Sequence, residues 1–244
     1  PRYSFLHADL AVGDLLPIVR HLMTKARDAN IHFTIDAEEA DRLELSMDII
    51  EALARDDSLF TRPDGSQWEG FGLAIQAYQK RGVPMCEWTA RLARKYDRKF
   101  FVRLVKGAYW DTEIKLSQVG GFDDFPVFTR KLGTDVSYLA CAEKLLACDD
   151  VIYPAFATHN AYTIGAIKSV AGSKEFEFQR LHGMGEDIYG TLAQIEGNAR
   201  TNVRIYAPTG THKDLLAYLV RRLLENGANS SFVNRMADAD VPVE

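Results

Sequence analysis

The sequence has no excess of positive charge, no paired-cysteine framework and no apolar run long enough to cross a bilayer. Its formal net charge is -5, so it offers no basic footprint and nucleic acid is excluded as a main partner. The three cysteines, Cys86, Cys141 and Cys148, are odd in number and match no zinc spacing. That fits a reducing compartment and gives no reason to expect a metal site. No segment approaches the roughly 20 apolar residues of a membrane span, and no signal peptide is recognisable. Peripheral contact with a membrane stays open. No Gly-x-Gly-x-x-Gly follows a strand-like run, which disfavours a dinucleotide-binding sheet. Neither a Gly-x-Ser-x-Gly elbow nor a cysteine–histidine pair in matching context supports nucleophilic hydrolysis. Internal repeats and low-complexity tracts are lacking. An initiator methionine is also lacking: the chain opens with Pro1, which reads as a piece of something longer or a processed product.

What is present suits one large domain over residues 1–244, with 47% hydrophobic and 26% charged residues. β-branched and aromatic runs recur at 31–36 (IHFTID), 71–79, 99–105 (KFFVRLV), 151–157 (VIYPAFA), 176–181 and 202–207. Amphipathic helical stretches fill 10–29, 40–54, 86–96, 134–147, 161–170 and 187–195, and a last helix follows Thr211. The alternation predicts βαβ units around a parallel sheet. Six strands are convincing, against the eight of a closed (β/α) barrel. Thr211 with Asp214 resembles a capping box and Gly227 a left-handed stop. The stretch between Tyr109 and Val151 reads as a longer connection containing the loop GGFDDFP at 120–126.

Polar residues gather where the strands end: Asp36, Gln76, Arg103, Lys106, Thr158, His159, Gln179, His182 and Tyr206. That is the face on which a barrel carries its active site. In the last helix, Arg221 and Arg222 are adjacent on an otherwise apolar segment. Two guanidinium groups near a core are costly unless an anion awaits them, and their planar forks match a carboxylate or phosphate. Arg103 and Lys106 at a strand end suit an anion or an electron-rich ring whose reduced form is negative. The bland alternative for them is a surface ion pair; Lys106 is also a candidate Schiff-base lysine of an aldolase. Asp36 is a candidate partner for Arg103, whereas Glu38, Glu39 and Asp41 are expected only to solvate and favour the next helix. Tyr109, Trp110 and Tyr206 could wall a flat ring or pack in the core.

Taken in order, the motifs DAEEADR (36–42), IQAYQKR (75–81), RLVKGAYW (103–110), FATHN (156–160), LHGMGE (181–186), RIYAP (204–208) and YLVRRLLENGAN (218–229) closely resemble the proline dehydrogenase domain of bacterial proline utilization proteins, essentially from end to end. The resemblance implies a distorted (β/α)8 barrel holding FAD. It further implies oxidation of L-proline to Δ1-pyrroline-5-carboxylate, with electrons passed to a membrane quinone. Arg221 and Arg222 would clamp the proline carboxylate, with Tyr206, Tyr109 and Leu181 shaping the pocket. Arg103 would contact the flavin near its reactive nitrogen, supported by Asp36. Gln76, Val105, Lys106, Gly107, Ala108, Trp110, Thr129, Thr158, His159, Asn160, Gln179, Arg222, Glu225 and Phe232 match positions lining the cofactor. An aldehyde dehydrogenase domain elsewhere in the polypeptide and a cytoplasmic, peripherally membrane-associated location are implied too. The family places further strands before the segment matching Pro1, one of them with a lysine that touches the carboxylate. On that ground the alternative is a catalytically inactive barrel fragment that needs those strands.

Overall fold

The computed structural model describes residues 8–197 and 201–228. Among the described residues, six strands form one all-parallel sheet in sequential order. They are β1 (Phe33–Ile35), β2 (Phe71–Gln76), β3 (Phe100–Val105), β4 (Ile152–Ala157), β5 (Glu177–Leu181) and β6 (Asn202–Tyr206). Helices precede and link them: α1 (Ala8–Asp28), α2 (Leu43–Ala54), α3 (Gly82–Lys95), α4 (Trp110–Gly120), α5 (Lys131–Leu146), α6 (Ala161–Ala171), α7 (Glu186–Glu196) and α8 (His212–Ala228). A doubly wound sheet would reverse its strand order at a switch point. This sheet does not, so it is a curled part of a barrel, with no pairing of β1 to β6 among the described residues.

Side-chain alternation explains the layering. Phe71, Leu73 and Ile75 of β2 face outward with Phe100, Val102, Leu104, Phe156 and Phe178, and join the apolar side chains of the helices in one buried cluster. Phe71 and Phe100 meet edge-on at 5.6 Å, a geometry that adds to burial of their rings. The intervening residues face the hollow, and on β2 they are small: Gly72 lies opposite Phe101 and Ala74 opposite Arg103. A Cβ on Gly72 would sit 2.2 Å from the Phe101 carbonyl oxygen, so only glycine lets β2 and β3 pair here. Low in the hollow Phe101 stacks on Tyr153 at 5.5 Å.

All six predicted strands are present, with β2 ending at Gln76 because residues 77–81 turn into α3. Two helical expectations are corrected. The connection after Tyr109 contains α4, which the sequence did not reveal, and α8 runs through Gly227 to Ala228 instead of stopping there. Thr211 does precede α8, and its carbonyl accepts the Leu215 N–H at 2.9 Å.

Candidate active site

Arg103 is the centre of the strand-end constellation. Because β2 presents only small side chains beside it, its guanidinium can lie across β2, and its Nη1 donates to Asp36 Oδ1 at 2.8 Å just beyond β1. On its other side the guanidinium carbon lies 4.7 Å from the centre of the Tyr206 ring at the end of β6. In a flat sheet β3 and β6 would be three spacings, roughly 14 Å, apart; the curl tips these side chains together. Burial works against the Arg103 charge, but Asp36 and Tyr206 more than compensate, and its pKa is raised. The side chain is 16% exposed. Its Nε is buried with no hydrogen-bond partner among the described residues. A permanently charged, buried N–H is costly to leave without an acceptor, and a ligand atom could serve as one.

α8 supplies the second cationic group. Its polarity is partly inverted among the described side chains: Leu216, Leu219 and Val220 are exposed while Arg221 and Arg222 are half-buried. Arg222 lies 5.0 Å from the Tyr218 ring. The Nε of Arg221 is buried without a partner. Arg221 also acts electrostatically on Tyr109, as Tyr218 does on Arg103, so both ends of this motif lie close to the strand tips. Tyr218 was not singled out from the sequence; its spacing of three and four residues before the arginines puts it on their helix face. Tyr109, at the N-terminus of α4, donates its hydroxyl to Glu38. Burial first, and the Glu38 carboxylate second, push the Tyr109 pKa upward. Glu38 therefore does more than solvate α2, contrary to expectation.

The remaining candidates are placed as follows. Gln76 is buried; its Nε2 donates to the Ala37 carbonyl at 3.1 Å and its Oε1 accepts from Gln79 at 2.9 Å. Gly107 has φ +135°, and a Cβ there would lie 2.4 Å from the Tyr78 ring, so the chain leaves β3 by a path that only glycine can take. Val105 and Ala108 are partly buried on either side of it. Lys106 is buried and pairs with Asp135 of α5 at 2.5 Å. A Schiff-base lysine must offer a free neutral amine, so this ion pair argues against the aldolase reading. Trp110 donates its indole N–H to the Phe128 carbonyl at 2.8 Å, next to exposed Thr129.

At the end of β4, Asn160 caps α6 through the Thr163 N–H at 3.0 Å, and the Thr158 hydroxyl accepts the Asn160 N–H at 3.2 Å. His159 Nε2 accepts the Leu181 N–H at 3.0 Å, which makes it a neutral acceptor tying β4 to β5. Burial, and then Arg180, lower its pKa. Gln179 and Leu181 are buried, and Gln179 donates to Glu177 at 2.9 Å. His182, singled out with them, donates its backbone N–H to the Tyr206 carbonyl at 2.9 Å. The Glu225 side chain and Phe232 lie outside the described residues.

A wider hollow, about 700 Å³, opens at the opposite ends of the strands between His32, Phe101, Tyr153 and Arg204. There Glu177 accepts both arms of Arg204 at 2.7 and 2.8 Å. Those groups satisfy one another, whereas Arg103 at the strand C-termini keeps a buried donor without a partner among the described residues.

The proline dehydrogenase family profile matches residues 5–235. The chain belongs to the proline dehydrogenase family. It is 51% identical over 250 residues to the bifunctional protein PutA of Salmonella typhimurium, covering all of this chain and 18% of that protein. The PutA of Rhizobium meliloti is also 51% identical, with 19% of its length covered. A crystal structure of Bradyrhizobium japonicum proline utilization A superposes with a TM-score of 0.88 at 55% identity, over 99% of this chain and 24% of that one. This chain thus spans under a fifth of the length of the curated PutA relatives. Arg103, Tyr206 and the α8 arginines are the cationic and aromatic groups gathered at this end of the strands.

Proposed function

We propose that this chain is the proline-oxidising unit of its protein. It converts L-proline to Δ1-pyrroline-5-carboxylate with FAD as cofactor and passes the electrons to a membrane quinone. The observation that carries the reading is the pair of cationic groups with spare buried donors, Arg103 on β3 and Arg221 on α8, facing one strand-end region. The residues present fit a flavin: small side chains on the inner face of β2, the glycine-only exit from β3, and a buried Arg103 Nε in need of an acceptor. Gln76, Arg103, Val105, Gly107, Trp110, Thr158, His159 and Gln179 would hold it, and when bound it supplies the hydride acceptor.

The roles of the chain's own residues follow. Arg221 and Arg222 grip the substrate carboxylate with forked hydrogen bonds and so fix which ring carbon is presented. Tyr206, Tyr109, Tyr218 and Leu181 wall the apolar ring and exclude water. Arg103, held in place by Asp36, offsets negative charge that grows during transfer. The substrate amine must be neutral to release hydride, so turnover rises with pH. The aldehyde dehydrogenase region of the PutA relatives would consume the product in the same polypeptide, with the protein cytoplasmic and peripheral at the membrane during turnover. Steady-state assay of the flavin-loaded protein with L-proline and a soluble quinone analogue tests this. Formation of the cyclic imine at a rate rising from acid to alkali is expected. A protein that takes up no flavin and forms no imine would refute it and favour a non-catalytic unit.

A further inference from the structure

The buried side of α4 is partly polar: Glu113 and Ser117 are buried beside half-buried Trp110 and Ile114, while Leu116 and Val119 are exposed. Glu113 is 5% exposed, and its Oε1 accepts the Ala40 backbone N–H at 2.6 Å. The carbonyl of the same residue accepts from Arg81 Nη2 at 2.8 Å, and Arg81 Nη1 holds Glu44 at 3.0 Å. Ala40 is therefore gripped on its donor and its acceptor by side chains of opposite charge from two different elements. Three residues earlier, Gln76 holds the Ala37 carbonyl at 3.1 Å. Within and beside this pinned stretch lie Asp36, bonded to Arg103, and Glu38, bonded to Tyr109. Tyr109 and Glu113 share the first turn of α4, where the Glu113 N–H donates to the Tyr109 carbonyl at 2.9 Å. The start of α4 thus meets the β1–α2 loop twice, at Glu38 and at Ala40.

Burying a carboxyl group is a costly way to satisfy one amide. Burial pushes the Glu113 pKa up and the Ala40 N–H opposes it, while Asp41 and Glu39 add repulsion that Arg81 partly offsets. Such a cost is accounted for when the amide must stand in one place. We propose that Glu113 is a positioning residue for proline oxidation, setting through Ala40 the loop by which Asp36 and Glu38 reach Arg103 and Tyr109. This rests on the functional reading above.

The test compares Glu113→Ala and Glu113→Gln in the flavin-loaded protein by hydrogen exchange of the 37–42 amides and by steady-state kinetics with L-proline. In Glu113→Ala those amides exchange roughly tenfold faster and kcat falls roughly tenfold, the scale of one lost hydrogen bond to a buried donor. Glu113→Gln keeps an acceptor oxygen and restores both to within about twofold of the parent. In an Asp36→Asn background Glu113→Ala lowers kcat by less than it does in the parent, because part of its effect runs through Asp36. Glu113→Gln as impaired as Glu113→Ala would overturn the proposal, as would unchanged exchange and kcat in Glu113→Ala or fully additive losses in the double variant. Should Glu113→Ala fail to fold, Arg81→Met removes the other half of the clamp and is expected to change exchange and kcat in the same direction; no change would equally overturn it. A parent protein inert toward proline would sink the functional reading alone, and the exchange data would still report on the clamp.

Discussion

Replacing Asp36 by asparagine keeps the shape and one acceptor oxygen but removes the charge that balances Arg103. The structure bounds the effect. Exposed ion pairs contribute about 0–1 kcal/mol, whereas breaking a buried pair costs about 3–5 kcal/mol because a charge is left uncompensated. Here one partner is on each side of that divide: the Arg103 side chain is 16% exposed and that of Asp36 64%. A loss of about 1–2 kcal/mol follows, or roughly 3–6 °C in Tm for a domain of this size. Because Asp36 reaches solvent, added salt should shrink the difference between parent and variant. Thermal unfolding at low and high ionic strength measures both. The same variant lets the guanidinium swing, so kcat for proline should fall roughly tenfold. A Tm within a degree of the parent at low salt, together with an unchanged kcat, would refute the view that Asp36 holds Arg103 in place.

Arg222→Met should leave the flavin bound while weakening proline capture. Losing a charge-assisted forked contact costs about 2–3 kcal/mol, roughly 30- to 150-fold in KM, and an unchanged KM would remove Arg222 from the substrate site. Gly107→Ala should cost at least about 2 kcal/mol, since it combines a backbone conformation hostile to L side chains with an overlap on Tyr78; denaturant unfolding with no shift in midpoint would contradict it. His159 has a lowered pKa, so as pH falls below the ordinary histidine value the unfolded chain takes up a proton that the folded one resists. Its contribution to stability is present above that value and is lost on acidification. His159→Gln should therefore flatten the acid side of a stability-versus-pH curve, and an identical acid limb would count against the neutral-acceptor role.

The fold was legible where burial follows polarity. The outer faces of β2 and β3 carry Phe71, Leu73, Ile75 and Phe100, Val102, Leu104, and the strands were legible as β-branched and aromatic runs between helical stretches. α4 was missed because its periodicity is partly reversed, with Glu113 and Ser117 buried beside Ile114 and with Leu116 and Val119 outward. No hydrophobic pattern can reveal a helix that buries its polar side. α8 shares the reversal, yet its adjacent arginines announced an anion site because two guanidinium groups are hard to place otherwise. Asp36 with Arg103 was anticipated from strand-end position and from family resemblance. Glu38 was not, since its partner Tyr109 is 71 residues away and nothing local distinguishes it from Glu39. Tyr218 escaped for a similar reason: a tyrosine in a leucine-rich helix reads as packing until the arginine beside it is placed.

An anaerobic titration of the flavin-loaded protein, followed by visible absorbance, bears most directly on the central claim that paired arginines present proline to an electron acceptor beside Arg103. L-proline should bleach the flavin, whereas pyrrolidine, the same ring without the carboxylate, should leave it coloured at equal concentration. Equal bleaching by both, or by neither, would contradict the account.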